Sequence, residues 1–125
     1  MTASMAALDV LIVDDHEPTR TVIARMLRAA GVERIRDASD ASQAAQMLAE
    51  RAAALVITDQ VMPDTDGVSF IASLRANPAH AKTRTILITG YAEIDAQARA
   101  AGANAVLVKP IEAPALLKAI EAALA

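Results

Sequence analysis

Four short hydrophobic runs recur along the chain, and each is followed by polar residues. They cover residues 8–13, 54–58, 85–88 and 105–108, and nearly every residue in them is apolar. Continuous hydrophobic runs of this length are typical of parallel strands buried on both faces. A polar, alternating run near residues 33–37 predicts one more strand, at an edge of the sheet.

Helical patterns lie between the runs, with hydrophobic residues spaced three and four positions apart. They predict five helices, at about 18–30, 40–51, 67–76, 92–101 and 113–124. Asp40 is a candidate N-cap for the second helix. Gly31 and Gly102 are placed to end the first and the fourth.

This alternation predicts an α/β fold, a doubly wound, five-stranded parallel sheet covered by helices on both faces. Right-handed crossovers favour the flavodoxin-like strand order 2-1-3-4-5, with a switch point between the first and third strands. Residues 1–7 are predicted to be a short flexible tail and residues 8–125 one domain, with no output domain after it.

Polar side chains suited to phosphate chemistry follow the hydrophobic runs. The first run is followed by Asp14-Asp15, and the other three by Asp59, Thr89 and Lys109. Because the carboxyl ends of parallel strands share one edge of the sheet, these side chains are expected to converge. Mg²⁺ prefers oxygen ligands and keeps several waters, which predicts direct ligation by Asp15 and Asp59, with Asp14 bound through water.

The same cluster predicts phosphoryl chemistry. Asp59 is the candidate nucleophile, attacking phosphorus to give an acyl phosphate. Lys109 and Mg²⁺ would neutralise charge, and Thr89 would donate its hydroxyl to a phosphoryl oxygen. Taken singly, each residue is better explained as a cap, a turn former or a solvated strand end. Their joint occurrence at four strand ends favours the functional interpretation.

Composition excludes several classes of function. The chain carries a net charge of −3 and has a single Tyr and a single Phe, so it lacks both a basic surface and a base-stacking platform for nucleic acid. It has no Cys and therefore no thiolate metal site or disulfide. No hydrophobic stretch approaches the roughly 18 residues of a membrane span. A cytoplasmic protein without membrane association is expected.

Four motifs occur in a characteristic order: Asp14-Asp15, Asp59-x-x-Met62-Pro63-x-x-Asp66-Gly67, Thr89-Gly90 and Lys109-Pro110. In order and spacing they resemble the receiver domain of two-component response regulators, from Val10 through the last helix. The resemblance implies that Asp59 accepts phosphate from a phosphohistidine on a histidine kinase or phosphotransfer protein. It also implies that Val61 gives its backbone carbonyl to Mg²⁺, and that Lys109-Pro110 is a cis peptide.

The chain ends with the fifth helix, which resembles a stand-alone receiver of the chemotaxis type, with protein binding as its output. A receiver excised from a larger regulator or hybrid histidine kinase would look the same, and this alternative stays open. The resemblance implies a docking face on the fourth helix, fifth strand and fifth helix, used by a target or a weak dimer. The residues expected to make this face flat are Ala92, Ala96, Ala100 and Ala103.

Two positions depart from the family pattern. Val106 stands three residues before Lys109, where receivers commonly carry an aromatic ring that moves inward on phosphorylation. Tyr91, two residues after Thr89, is hypothesised to replace that ring; the alternative is that it only covers the site. Val61 and Tyr91 also occupy the positions that modulate phosphate hydrolysis in the family. Neither easily orients a water, so a long-lived acyl phosphate is expected.

Two other functions, a phosphohydrolase and a pseudo-receiver, compete with the signalling role. A phosphohydrolase with an aspartyl intermediate usually needs a second carboxylate two residues after the nucleophile, where this chain has Val61. A pseudo-receiver, which would bind partners without phosphate, is disfavoured because every expected site residue is present. The chain is therefore not expected to be an enzyme, beyond catalysing its own phosphorylation and dephosphorylation. Arg20, Arg25 and Arg28 are expected on the exposed side of the first helix, either solvated or facing the kinase.

Overall fold

The hydrophobic runs and the polar run pair into one parallel sheet in the computed structural model, which describes residues 5–125. The strands are β1 (Asp9–Val13), β2 (Arg34–Ala38), β3 (Leu55–Asp59), β4 (Arg84–Thr89) and β5 (Ala105–Val108). The helices are α1 (Glu17–Ala29), α2 (Ala41–Glu50), α3 (Gly67–Ala76), α4 (Asp95–Ala101) and α5 (Ala113–Leu124). The strand order is β2-β1-β3-β4-β5, which confirms the predicted fold class and topology.

The central strands are buried on both faces, as their unbroken hydrophobicity predicted. Successive side chains of a strand point to opposite faces. In β1, Ile12 therefore joins the core under α1 and α5, whereas Leu11 joins the core under α2 and α3. The pairing of β1 with β3 sets Val13 opposite Thr58, so both strands reach the same edge of the sheet. The polar strand β2 lies at an edge, as predicted.

The predicted helix ends agree with the structure. The Asp40 side chain caps α2 by accepting a hydrogen bond of 2.7 Å from the backbone N–H of Gln43. Gly31 follows α1 with φ of 101°, and Gly102 ends α4 with φ of 116°. Both φ values lie in the left-handed region that glycine adopts without a steric penalty.

The fourth helix differs from its prediction. A single 3₁₀ turn, Ala92–Ile94, comes first, and α4 proper begins only at Asp95. Ala98 is the one fully buried residue of α4. Ala103 is also buried, so the expectation that it lines an exposed flat face with Ala92, Ala96 and Ala100 is wrong.

Met5–Ala7, the last residues of the predicted tail, form a single 3₁₀ turn, and Met5 packs against the core under α1 and α5. The first four residues of that tail lie outside the described residues. Within residues 5–125, no helix combines the length and the hydrophobicity needed to cross a membrane.

Replacement of Gly67 tests how closely the start of α3 approaches the end of β3. A Cβ there would overlap the carbonyl oxygen of Asp59 and lie 2.5 Å from Leu87 Cδ1. Because this backbone cannot yield cheaply, Gly67→Ala should lower the free energy of unfolding by about 2 kcal/mol in urea titrations. Gly90→Ala is the matched control: a Cβ at Gly90 meets nothing within 4 Å, so stability should change by less than about 0.5 kcal/mol. Equal stabilities of the two variants would contradict this close approach.

Candidate functional site

Three carboxylates converge at the carboxyl edge of the sheet. Asp14 and Asp15 follow β1, and Asp59 is the last residue of β3. Each offers an oxygen within 4.8 Å of the others. Asp14 and Asp59 are only 2% and 6% exposed, whereas Asp15 faces solvent. The switch point of the sheet thus brings the predicted acids together.

Lys109 reaches the same cluster from β5. Its Nζ lies 2.9 Å from Asp59 Oδ1 and forms an ion pair with it. The Lys109 backbone is held by a hydrogen bond of 2.8 Å from its N–H to the carbonyl of Thr89. Lys109-Pro110 is a cis peptide, as the resemblance implied.

Thr89 ends β4 at this edge and is 1% exposed. Its Oγ1 accepts a hydrogen bond of 3.1 Å from the backbone N–H of Tyr91. Tyr91 as a whole is 65% exposed, and the hydrogen bond that joins it to the site comes from its backbone. Val106, the other departure from the family pattern, is half-buried and packs with the cluster under α4.

Burial and neighbouring charges shift the pKa values of two groups in the site. Burial raises the pKa of Asp14, and the nearby charges of Asp59 and Asp15 raise it further, against a hydrogen bond from the His16 N–H and the charge of Lys109. Burial lowers the pKa of Lys109, but the hydrogen bond and charge of Asp59 outweigh this and raise it overall. Asp14 therefore ionises reluctantly, and Lys109 stays charged.

The donor set fits a hard divalent cation. All three groups are carboxylates, which Mg²⁺ prefers, and the exposure of Asp15 leaves one side open to water or phosphate oxygens. A cation here would also relieve the repulsion that raises the Asp14 pKa. Asp14, Asp15 and Asp59 are thus the residues that could hold it.

Arg20 has a role that the sequence did not indicate. Its side chain is 14% exposed, so its predicted place on the exposed side of α1 is wrong. Arg20 Nη1 donates a hydrogen bond of 2.7 Å to the carbonyl of Asp14, and Nε donates one of 3.0 Å to Asp37 Oδ2. Arg25 and Arg28 are exposed as expected. Helical periodicity does not separate these arginines, because the partner Asp37 lies on the edge strand.

Residues 10–121 match the family model described as the response regulator receiver domain. The chain belongs to this family. It is 37% identical over 117 residues to a probable chemotaxis protein CheY of Rhizobium etli, covering 92% of this chain and 91% of that protein. It is 38% identical over 119 residues to the transcriptional regulatory protein PdtaR of Mycobacterium tuberculosis, covering 91% of this chain and 55% of that protein.

Solved structures agree with the sequence relatives. The receiver domain of NtrX from Brucella abortus superposes with a TM-score of 0.84 at 30% identity, covering 93% of this chain and 98% of that one. The chemotaxis response regulator CheY4 of Vibrio cholerae gives 0.85 at 27% identity, covering 93% and 98%. This receiver domain therefore resembles CheY-like single receivers in both sequence and fold.

The crowding in the receiver site predicts an unusual effect of Asp14→Asn. Asparagine keeps the acceptor for the His16 N–H but removes one of three neighbouring negative charges. In the absence of divalent cations at pH 7, the variant should be more stable to unfolding, by on the order of 1 kcal/mol.

The pH dependence of this effect follows from the direction of the pKa shift. A carboxyl whose pKa is raised on folding favours the folded state only below its unfolded value, here 3.8, and that benefit is lost as pH rises through the folded pKa. The advantage of Asn should therefore be present at neutral pH and vanish near pH 3. Thermal unfolding across this range measures it, and a destabilised variant at pH 7 would contradict the argument.

Proposed function

We propose that this receiver domain is a phosphorylation-switched signalling module in which Asp59 accepts a phosphoryl group from a phosphohistidine partner. The observation that carries the proposal is the position of the Asp59 carboxylate, which is buried, lies within 4.8 Å of two other acids and is ion-paired with Lys109 at 2.9 Å. A carboxylate oxygen of Asp59 and the ammonium group of Lys109 therefore lie together at the point where phosphoryl charge would arrive.

In the proposed reaction a carboxylate oxygen of Asp59 attacks phosphorus. An O–P bond forms, the P–N bond to the partner imidazole breaks, and the released nitrogen takes up a proton. Lys109 then contacts a phosphoryl oxygen in place of the carboxylate, and the Thr89 hydroxyl donates to another. Bound Mg²⁺, held by Asp15, Asp59 and the Val61 carbonyl and by Asp14 through water, would supply charge neutralisation.

The same geometry supports a switch in preference to an enzyme with turnover. Hydrolysis of an acyl phosphate needs a group that orients the attacking water. Val61 and Tyr91 stand where such a group would act; these residues are 68% and 65% exposed, and neither has a carboxylate. We expect no turnover of a chromogenic phosphate ester; multiple turnovers would favour the phosphohydrolase.

The partners follow from this role. A histidine kinase or phosphotransfer protein would supply phosphate in the cytoplasm, and a downstream protein would read the phosphorylated state on the face formed by α4, β5 and α5. Val108 at the end of β5 is 40% exposed and gives that face an apolar contact. Related receivers include a CheY matched over 91% of its length and PdtaR matched over 55%, so both a stand-alone role and a role within a larger regulator stay as proposals.

Incubation with acetyl phosphate and Mg²⁺ tests the phosphoacceptor. Mass spectrometry should find one phosphoryl group on the peptide that contains Asp59, and none in Asp59→Asn. Asp66→Asn is the matched control, because Asp66 caps α3 outside the acidic cluster and asparagine is also a good N-cap. Phosphate on another residue, or none on the wild-type protein, would sink the proposal.

We further propose that the segment around Tyr91 replaces the missing aromatic switch. Val106 is too small to act as a swinging ring, whereas the Tyr91 N–H bonds directly to Thr89 Oγ1, the hydroxyl proposed to contact phosphate. Withdrawal of that hydroxyl toward a phosphoryl group would free the Tyr91 backbone and with it the 3₁₀ turn that precedes α4.

Hydrogen exchange of the Tyr91 amide tests this coupling. In the wild-type protein, beryllofluoride with Mg²⁺ should speed that exchange, because the N–H loses its acceptor Thr89 Oγ1. Thr89→Val removes the acceptor, so exchange should be fast with or without beryllofluoride, whereas Tyr91→Phe keeps the backbone bond and should behave like the wild type. Wild-type exchange that ignores beryllofluoride would mean that Tyr91 only covers the site.

A further inference from the structure

Asp64 joins the loop that follows Asp59 to a helix distant in sequence. The loop runs from Gln60 to Asp66, between β3 and α3. Asp64 Oδ2 accepts a hydrogen bond of 2.8 Å from the backbone N–H of Ser42, and Oδ1 accepts one of 3.3 Å from that of Ala41. Both donors belong to the first turn of α2.

These bonds complete the capping of α2. The first N–H groups of a helix have no partner within the helix. The Asp40 side chain takes the N–H of Gln43, and its carbonyl takes that of Ala44. Asp64 takes the two that remain, those of Ala41 and Ser42. A carboxylate at this end also interacts favourably with the helix dipole.

The donated bonds act on the carboxylate as well. Four backbone N–H groups, those of Ala41, Ser42, Thr65 and Asp64 itself, outweigh desolvation and lower the Asp64 pKa. Asp64 is therefore held ionised in an orientation that faces α2, although it lies on an exposed loop.

Asp64 is one of several anchors of the loop. Gln60 Oε1 accepts a hydrogen bond of 2.9 Å from the Val68 N–H, which ties the start of the loop to α3. Met62 is buried, with its Sδ 3.8 Å from Thr58 Oγ1. Val61 lies between Gln60 and Met62 and is itself exposed, so the path of its backbone is set by the residues on either side.

We propose that Asp64 is a positioning residue for the metal site, because it holds this loop against α2 in the conformation that directs the Val61 carbonyl toward the cation. The inference rests on the proposed Mg²⁺ site. Loss of the Asp64 bonds would release the middle of the loop from α2, and a displaced carbonyl would be a weaker ligand. Contacts that orient a ligand without touching the metal typically change affinity by about 10- to 100-fold.

Titration calorimetry with MgCl₂ tests the proposal on the full chain. Asp64→Ala should weaken Mg²⁺ binding about tenfold. Asp64→Asn keeps one acceptor oxygen and should give a smaller loss. Asp40→Ala is the matched control: it removes a carboxylate from the same end of α2 and destabilises the helix comparably, but it leaves the loop bonded. Its Mg²⁺ affinity should stay within about twofold of wild type.

Each outcome decides a separate question. If Asp64→Ala and Asp64→Asn bind Mg²⁺ like the wild type, or if Asp40→Ala loses as much affinity as Asp64→Ala, positioning by Asp64 is wrong. If the wild-type protein itself binds no Mg²⁺, the proposed metal site is wrong and this inference is overturned with it.

Hydrogen exchange gives a second readout that a purely structural role of Asp64 would not move. Coupling between two sites is reciprocal, so Mg²⁺ bound at the acids should slow exchange of the Ala41 and Ser42 amides by the same factor as Asp64 strengthens Mg²⁺ binding. That protection should disappear in Asp64→Ala and shrink in Asp64→Asn. Exchange at Ala41 and Ser42 that ignores Mg²⁺ in the wild type, despite measured binding, would overturn the proposal.

Discussion

Mutual repulsion among three carboxylates within 4.8 Å of one another is the constraint on which this site depends. At an effective dielectric constant of about 20, the buried pair Asp14 and Asp59 repels by roughly 3 kcal/mol, and Lys109 provides one opposing ion pair, to Asp59. Burial raises the pKa of Asp14, and the charges of Asp59 and Asp15 raise it further. The fold tolerates the repulsion because β1 and β3 are buried on both faces and cannot separate without exposing the core. The site is therefore preorganised for ligands that restore charge balance, a divalent cation above all.

A few charged side chains fix the loops around the site by bonding to backbone carbonyls and N–H groups. Arg20 bonds the carbonyl of Asp14, and Asp64 bonds the N–H groups of α2. At the opposite end of the sheet, Arg75 donates to the carbonyls of Gly102 and Thr83 and to Asn104 Oδ1. Each of these bonds joins two different elements or loops of the fold. The loops on both edges are thereby fixed relative to the strands, which matters because a ligand shell must be held to a fraction of an ångström.

Sequence reasoning succeeded where one physical rule decides the outcome. Strands buried on two faces must be continuously hydrophobic, and parallel strands must end at a common edge, so the fold and the meeting of Asp14, Asp15, Asp59 and Lys109 followed from the pattern. It failed where the partner is set by tertiary geometry. The exposed position expected for Arg20 was wrong because its partner Asp37 lies on the edge strand β2, which the pattern of α1 does not reveal. The role of Asp64 gave no signal in the sequence because its partners are backbone N–H groups. The 3₁₀ turn before α4 was missed because one turn is too short to establish a period.

In the proposed switch, α4 is the part of the fold best able to respond to phosphate. Its carboxyl end is fixed, since Arg75 holds the carbonyl of Gly102 with a bond of 2.8 Å. Its amino end leads back through the 3₁₀ turn to Tyr91, whose N–H is bonded to Thr89 Oγ1. Between these ends only Ala98 is fully buried, so little hydrophobic area opposes displacement. A helix pivoting at Gly102 needs no swinging ring at Val106. The differential contact required is one hydroxyl exchanged from the Tyr91 backbone to a phosphoryl oxygen, an interaction of the few kcal/mol that shifts a two-state equilibrium.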